Sequence, residues 1–196
     1  MSTDEAPEPI LMIRGETVGL GPLRSDLATT YQRWVSELGS TRTLALSCLP
    51  MTLEAEVAWL ESIANTPSAI FNIYILESMQ VIGNTELHDI SHENGTCGFG
   101  ILIGEPDAWG KGYGTETTQL MLAYAFDVLG LHNVMLEVYE ENPAAIRAYE
   151  RAGFKRMGVR RRAKRIGREH CDIIFMDAVA DDFPPSKLHN IMHPNG

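Results

Sequence analysis

Cysteine is scarce in this chain of 196 residues, which has only three. Cys48, Cys97 and Cys171 are odd in number, lie far apart and form no CxxC pair. A disulfide framework needs an even number of cysteines, and a structural zinc site needs ligands at short spacings. Two histidine pairs four residues apart fall in a predicted turn and in the tail, which are poor metal scaffolds. We therefore predict reduced thiols, a cytoplasmic location and no metal site.

Long apolar runs are missing too, and so is a basic N-terminal segment. No stretch approaches the roughly 20 apolar residues of a transmembrane helix. Residues 1–9 contain Asp4, Glu5 and Glu8 but no Lys or Arg, unlike a secretory signal peptide. With 44% hydrophobic residues, the chain can bury one sizeable core, so we expect one domain and no membrane partner.

Basic residues are rare outside one short stretch. Residues 1–150 hold six Lys and Arg against 21 Asp and Glu, a net charge of −15, whereas residues 151–170 have a net charge of +8. A strongly acidic body repels nucleic acids and anionic membranes and attracts cations. It argues against a nucleic-acid partner and suits a cationic amine, although an acidic surface also serves solubility. The basic run 160–165 is predicted to be a solvated hairpin, because scattered surface charges contribute little.

Hydrophobic periodicity predicts a mixed α/β domain. Segments typical of strands lie at 17–23, 70–76, 81–89, 97–103, 134–139, 154–159 and 171–178. Helical periodicity predicts four helices: one after the first strand, one after Thr52, and two at 113–129 and 142–153. Asn94-Gly95 predicts a tight turn between two antiparallel strands. Helices are thus interleaved with later strands, as in an α/β mixed sheet.

Three glycines alternate directly before a predicted helix. Gly110, Gly112 and Gly114 follow a predicted strand and precede an apolar helical pattern. Glycine lets the backbone turn so that its N–H groups point outward. A helix N-terminus behind such a loop offers unpaired donors and a partial positive charge. The pattern indicates a cradle for a phosphate or pyrophosphate, although many glycine-rich turns only connect elements.

A second pattern, N-x-x-[S/A]-x-x-x-Y-x-x-x-G-F, lies in the last third of the chain. Its matching positions are Asn142, Ala145, Tyr149, Gly153 and Phe154. Together with the glycine loop it resembles the GNAT N-acetyltransferase superfamily, whose loop is [Q/R]-x-x-G-x-[G/A]. That loop matches at Gly112 and Gly114 and departs at Trp109, where Gln or Arg is commoner. Trp-Gly-Lys-Gly-Tyr is similar to the branch of ribosomal-protein-alanine and spermidine N-acetyltransferases.

The resemblance covers residues 17–178 and implies a fold. It implies a GNAT-like mixed α/β (α+β) domain with a central, mostly antiparallel twisted sheet of about seven strands flanked by about four helices. The sheet is expected to be splayed in the middle for acetyl-CoA. We assign this single N-acetyltransferase domain to residues 13–180. Residues 1–12 are expected to be flexible, and the proline-containing tail 181–196 is expected to be poorly ordered.

The resemblance also implies which residues bind acetyl-CoA. Strand 97–103 corresponds to the splayed strand, so the N–H groups of Ile101 and Ile103 are expected to contact the pantetheine arm or the developing oxyanion. Asn142 is expected to bind the pantetheine arm, although helix capping alone would also explain an asparagine there. The expected pyrophosphate cradle is formed by Trp109, Gly110, Lys111, Gly112, Tyr113, Gly114 and Thr115.

Acetyl transfer to an amine requires proton transfers. Tyr149 matches the family's general acid, which protonates the departing thiolate; a phenol with a pKa of ~10 is protonated at pH 7. The alternative is that Tyr149 only packs against the sheet, because Ala145 and Ala152 share its helical face.

The base is harder to predict. Many family members have a Glu on the splayed strand, and segment 97–103 has none. Glu86 on the adjacent strand is predicted to reach the acceptor cleft as the base, with His88 and Glu137 as lesser candidates. The alternative is that Glu86 lies on a solvated strand face, as exposed glutamates usually do.

The leading hypothesis is an acetyl-CoA-dependent N-acetyltransferase in which a primary amine attacks the thioester directly. The acceptor is predicted to be a small cationic, polyamine-like amine or a protein N-terminus, and an amine-bearing antibiotic remains open. The main alternative is a non-catalytic acyl-CoA-binding or sensor module. A mononucleotide-binding protein is a weaker alternative, because the P-loop Lys is missing. Homodimers are common in the family, but no interface pattern is evident.

Overall fold

One eight-stranded sheet forms the centre of the computed structural model, which describes residues 8–44, 49–63, 66 and 68–194. The strand order is β1-β2-β3-β4-β5-β6-β8-β7. The strands are β1 (Ile13–Arg14), β2 (Val18–Pro22), β3 (Ala69–Ile75), β4 (Val81–Ser91), β5 (Thr96–Ile103), β6 (Asn133–Tyr139), β7 (Lys155–Ile166) and β8 (Glu169–Val179).

Helices lie on both faces of this sheet. They are α1 (Ala28–Ser36), α2 (Leu38–Thr41), α3 (Leu53–Ile63), α4 (Tyr113–Ala123), α5 (Pro143–Ala152) and α6 (Lys187–Met192). The helix α4 continues as a π turn over Tyr124–Val128. The helix α5 begins at Asn142, whose Oδ1 accepts a hydrogen bond from the Ala145 N–H (3.1 Å), and ends at Gly153 with φ +110°. Both ends agree with the sequence-based prediction.

The sheet is antiparallel except where β5 meets β6. This parallel contact is short: it pairs Thr96 with Asn133, Cys97 with Val134 and Gly98 with Met135. The two strands then part, although β5 continues to Ile103 and β6 to Tyr139. The opening between them, called the splay below, confirms the predicted GNAT-like sheet.

Neighbouring residues of β3 show that the two faces of the sheet carry different helices. Phe71 meets the ring of Tyr124, at the end of α4, edge to face at 5.4 Å. Asn72 accepts a hydrogen bond from the Tyr31 hydroxyl of α1 (2.8 Å). Because successive strand residues point to opposite faces, α4 and α1 lie on opposite sides of the sheet. The main apolar core lies on the α4 side, which α5 also covers.

Three features differ from the sequence-based expectation. The sheet has eight strands rather than about seven, because the two-residue strand β1 is too short to show periodicity. The described residues contain six α-helices rather than about four, because α2 and α6 are short. The segment 181–196, for which we expected little order, contains the helix α6. The hydroxyl of its N-cap residue Ser186 accepts a hydrogen bond from the Leu188 N–H (3.0 Å). Pro184 and Pro185 precede this helix and Pro194 follows it, so no proline interrupts it.

The described part of the chain contains no helix that is long and apolar enough to cross a membrane. Cys97 and Cys171 are buried free thiols, and burial raises the pKa of Cys97 to about 11. Cys48 lies outside the described residues. Among those residues, no group of three or more His, Cys, Asp and Glu side chains could hold a metal ion.

Candidate active site

The glycine loop is an open turn between the end of β5 and the start of α4. Gly110 and Gly112 have φ values of +73° and +89°, and no atom lies within 4 Å of where their Cβ atoms would be. This left-handed backbone is costly for other residues. Gly112 is the N-cap of α4 and offers no capping side chain, so the first N–H groups of the helix are open to a ligand. Such an end is suited to bind an anion.

Trp109 fixes this loop to the end of β5. Its indole Nε1 donates a hydrogen bond to the Ile103 carbonyl (2.8 Å), while half of the side chain is exposed. A Cβ on Gly114 would lie 3.9 Å from Ile103 Cγ1, so the first turn of α4 also adjoins β5. Lys111 is exposed, and Tyr113 and Thr115 are half-buried. The structure therefore brings the predicted cradle residues together beside the splayed strand.

Glu116 anchors the first turn of α4 to the turn between β1 and β2. Its carboxylate accepts hydrogen bonds from the N–H groups of Glu16 and Thr17 and from the Thr17 hydroxyl. Gly15 is needed in this turn, because a Cβ there would lie 2.2 Å from Glu116 Oε1. Burial alone would raise the pKa of Glu116, but these hydrogen bonds outweigh it and lower the pKa. Sequence analysis missed this contact, for which an acidic residue in the first helical turn was the only signal.

A second anchor joins β5 to α1. Glu105 pairs with Arg33 and accepts a hydrogen bond from Trp34 Nε1 (2.9 Å). The buried Trp34 ring fills the space beside Gly104, where a Cβ would lie 2.2 Å from the ring. Burial acts to raise the pKa of Glu105, but the bonds from Arg33 and Trp34 lower it overall. The glycine loop is thus open itself but held at both ends.

Ile101 and Ile103 lie beyond the last residue of β5 that pairs with β6. Their side chains are half-buried and pack against the main core. On one side this part of β5 pairs with β4, where the Thr85 hydroxyl also donates to the Gly100 carbonyl (2.9 Å). On the other side it faces the splay. The backbone on that side can therefore pair with an extended ligand, as an exposed strand edge pairs with a peptide.

Tyr149 lies on the α4/α5 face of the sheet, where β5 and β6 part. Its ring meets Phe99 edge to face at 6.1 Å, and Phe99 directly follows the last residue of β5 that pairs with β6. Phe154 contacts the ring from another side at 6.0 Å. Burial raises the pKa of Tyr149 to about 12, so the phenol stays protonated through the neutral range. Tyr149 therefore packs against the core next to the point where β5 and β6 part.

Glu86 and His88 lie on the opposite face and extend across β5. A Cβ on Gly100 would lie 3.1 Å from Glu86 Oε1, and a Cβ on Gly98 would lie 2.2 Å from His88 Cε1. Leu87, between them, is buried in the main core on the other face. The two glycines thus make room for β4 side chains to lie over the splayed strand. A carboxylate from β4 occupies the space that a side chain on β5 would fill.

Glu137 belongs to the same face, on the far side of the splay. Met135 pairs with Gly98, so Met135 and Glu137 point to the same face as the Glu86 side chain. Both residues are exposed. Asp177 of β8 pairs with Met135 and adds another carboxylate to this face. The three candidate bases named from the sequence therefore share one surface, called the acceptor face below.

The structure gives Asn142 a capping role, which the sequence had left as an alternative to cofactor contact. The basic run 160–165 lies on β7, the edge strand, and is largely solvent-exposed, as predicted. Lys164 is its most engaged member: Nζ donates to the Leu44 carbonyl (3.2 Å) and lies 4.6 Å from the centre of the Tyr139 ring.

Comparisons with known proteins agree with this geometry. The model of the acetyltransferase (GNAT) domain matches residues 18–155. The spermidine N(1)-acetyltransferase of Vibrio cholerae serotype O1 is 36% identical over 87 residues, which cover 43% of this chain and 50% of that protein. The enzyme of the same name from Escherichia coli K12 is 39% identical over 72 residues, covering 37% of this chain and 38% of that protein. The matches thus span half or less of these curated relatives.

Solved structures show the same fold. The spermidine N-acetyltransferase from Vibrio cholerae in complex with CoA and spermine superposes with a TM-score of 0.79 at 21% sequence identity. The match covers 86% of this chain and 98% of that one. At this level of identity the likeness establishes the architecture, while the chemistry depends on the residues of the site.

Proposed function

The chain belongs to the acetyltransferase (GNAT) domain family, and we propose that it transfers an acetyl group from acetyl-CoA to a primary amine. One observation carries the proposal: the sheet opens after Gly98 and Met135, and the anchored glycine loop lies at the far end of the opened strand. A pantetheine arm laid along β5 would reach that loop with its pyrophosphate.

Acetyl-CoA would be bound mainly by backbone groups. We assign the pantetheine arm and the thioester carbonyl to the N–H groups of Ile101 and Ile103, because among the described residues this part of β5 pairs with no strand on the splay side. The pyrophosphate is assigned to the loop from Trp109 to Thr115, at the N-terminus of α4. Asn142 would contact the arm with the part of its amide that does not cap α5.

Tyr149 is proposed as the general acid. When the amine nitrogen attacks the thioester carbon, a tetrahedral oxyanion forms and then collapses as the C–S bond breaks. The departing sulfur takes the Tyr149 proton, which yields free CoA, and the phenolate regains the proton that the nitrogen loses as the amide forms. Burial keeps the phenol protonated through the neutral range, with a pKa of about 12, so the proton to be donated is present when the thiolate departs.

Glu86 is proposed as the base that takes the proton of the amine. It lies on the acceptor face and beside Gly100 in the splayed strand, whereas Tyr149 lies on the other face. The acid and the base are therefore separated by the sheet itself. Acetyl-CoA and the amine would enter from opposite faces and meet in the splay.

A small cationic, polyamine-like amine is the acceptor that the charges favour. Glu86, Glu137 and Asp177 share the acceptor face, and residues 1–150 have a net charge of −15. Carboxylates attract a cationic substrate and stabilise its bound form. Two relatives named as spermidine N(1)-acetyltransferases support the same class.

The test combines calorimetric titration with acetyl-CoA and an assay of thiol release. The amines supplied would be spermidine, an aminoglycoside and a short peptide with a free N-terminus. We expect saturable binding and thiol release with spermidine. Release with the peptide alone would move the acceptor to protein N-termini, and binding without any release would favour a sensor. Absence of binding would overturn the proposal.

A further inference from the structure

A β-bulge in β4 lies beside the point where β5 and β6 part. His88 pairs with Gly98 and Ser91 pairs with Thr96, so Asp89 and Ile90 together face one residue of β5. Asp89 has φ +50°, a left-handed conformation that is uncommon for residues other than glycine. Bulges of this kind redirect side chains and occur often beside active sites.

The bulge places two neighbouring side chains on the same side of the strand. In a regular strand Asp89 would point away from His88, into the core that holds Leu87. Here Ile90 packs against that core instead, and the Asp89 side chain is 91% exposed. Its Oδ2 lies 2.9 Å from His88 Nδ1. The irregular backbone thus creates an imidazole–carboxylate pair on the acceptor face.

The imidazole of His88 covers the near end of the splay. A Cβ on Gly98 would lie 2.2 Å from His88 Cε1 and 2.6 Å from Nε2, so the ring lies directly over this glycine. Gly98 is the last residue of β5 that pairs with β6. The His88 side chain remains 43% exposed. With Nδ1 held by Asp89, Nε2 is the nitrogen left to exchange a proton.

We propose that His88, oriented by Asp89, takes the proton that Glu86 removes from the acceptor amine and releases it to solvent. This inference rests on the proposed function. One proton leaves the amine nitrogen, passes to the Glu86 carboxylate and then, through solvent in the splay, to Nε2 of His88. The resulting imidazolium returns it to bulk water, and no electrons are transferred. Asp89 takes no part in the transfer and is a positioning residue.

The distance and the chemistry suit this sequence of transfers. Glu86 and His88 are two residues apart on the same strand face, which places their Cα atoms about 7 Å apart, within reach of one bridging water. A carboxylate is a weak base for an ammonium ion, whereas an imidazole changes its protonation near neutral pH and exchanges protons readily. His88 can therefore remove the proton from the half-buried Glu86 carboxylate after each turnover.

The charged groups on the same face of the sheet as His88 are carboxylates. Asp89 and Glu86 belong to the same strand, and Glu137 and Asp177 face it from β6 and β8. The part of β5 beneath the ring contributes no charge, because it consists of uncharged residues from Thr96 to Gly100. Nearby carboxylates stabilise an imidazolium ion.

Rate profiles against pH test the proposal in the full chain, with spermidine and acetyl-CoA. His88→Gln is expected to lower kcat about tenfold at neutral pH and to change the dependence of kcat on pH. Asp89→Asn is expected to have the same kind of effect but a smaller one, because the imidazole remains and only its orienting carboxylate is lost. Neither change should alter the Kd of acetyl-CoA. The control is His92→Gln, an exposed histidine in the following turn, which should leave the profile unchanged.

Two further measurements separate this inference from the proposed function. Nitrogen NMR of the unliganded protein should show the Nδ1–H tautomer for His88 and its loss in Asp89→Asn, whatever the activity. Gly98→Ala should displace the ring and mimic His88→Gln although the imidazole is still present. A wild-type pH profile in His88→Gln, with normal turnover, would overturn the relay. Absence of acetyl-CoA binding by the unaltered chain would instead overturn the proposed function.

Discussion

The two sides of the splayed sheet present different kinds of chemical group. The cofactor side consists mainly of main-chain groups: the left-handed glycine loop, the N-terminus of α4 and the edge of β5. The acceptor side consists of ionisable side chains on strands on both sides of the splay, among them Glu86 and His88 of β4 and Glu137 of β6. Main-chain amides do not titrate in the pH range of an enzyme assay, whereas carboxylates titrate in acid and imidazoles near neutral pH. Variants of the first region should therefore change binding, and variants of the second should change the dependence on pH.

The largest effect is expected from Gly112→Asp. An aspartate at φ +89° is strained by about 1–2 kcal/mol, and its carboxylate would stand where the pyrophosphate is to bind. We expect more than about 100-fold weaker binding of acetyl-CoA, or roughly 2.8 kcal/mol, at every pH. Calorimetric titration measures the loss, and circular dichroism checks the fold.

Gly130→Asp is the matched control for this change. Gly130 also has a positive φ, +66°, with no atom within 4 Å of its Cβ position, but it follows the far end of α4. It should reproduce the strain and leave acetyl-CoA binding intact. Wild-type affinity in Gly112→Asp would mean that the cradle lies elsewhere.

The second largest effect is expected from Tyr149→Phe, which removes an ionisable side chain from the cofactor side, where most groups belong to the main chain. The edge contact with Phe99 survives, so the fold and the Kd of acetyl-CoA should change little. We expect kcat to fall by about 100-fold, a typical contribution of a general acid. Since the pKa of Tyr149 is about 12, the wild-type rate should show no loss of this acid below pH 10.

Tyr124→Phe provides the comparison. Burial raises the pKa of Tyr124 as well, and its ring makes a similar edge contact with Phe71, but it lies at the end of α4 away from the splay. Its kcat should match that of the unaltered chain. Equal kcat values in the two variants would remove Tyr149 from the mechanism and leave it a packing role.

Glu86→Gln should have a smaller effect, and one that depends on pH. Without the carboxylate the amine must lose its proton to solvent, which is least able to accept it in acid. We therefore expect about a tenfold loss of kcat/KM, largest at low pH. The control is Glu93→Gln, an exposed glutamate in the turn after β4. The same loss at every pH would argue that Glu86 binds the acceptor and does not act as the base.

The contrast between main-chain groups and side chains also explains which features could be predicted from the sequence. The local structure of the loop around Gly112 and of the helix from Asn142 to Gly153 was predicted well, because both segments are contiguous and have strict backbone demands, a positive φ or a cap. Local sequence is enough to express such demands. The family pattern added the order of the two segments.

The acceptor side could be predicted only in part. Alternation placed Glu86 and His88 on one face, but their reach over β5 depends on the register that sets Gly98 and Gly100 beneath them. The bulge at Asp89 depends on one extra residue, which a sequence pattern does not show because a shift of one residue exchanges the two faces. The contact of Glu116 with the β1–β2 turn joins residues about a hundred positions apart, and only the fold brings them together.

Glu116→Gln is expected to have the smallest effect. It tests whether the charge of a side chain matters on the cofactor side, where main-chain groups predominate. The lost charge weakens the hydrogen bonds that hold the first turn of α4, so the Kd of acetyl-CoA should rise about threefold while kcat stays unchanged. Because the folded-state pKa of Glu116 is lowered, its stabilisation is present above the unfolded-state pKa of ~4.3 and is lost as pH falls through the folded-state pKa. The melting temperature should therefore drop by about 2–4 °C at pH 7, and the variant and the unaltered chain should converge in acid.

The control is Glu150→Gln, which removes only the surface pair with Arg156 (3.0 Å) and should lower the melting temperature by less. A loss that persists unchanged in acid would show that the anchor acts through packing and not through its charge.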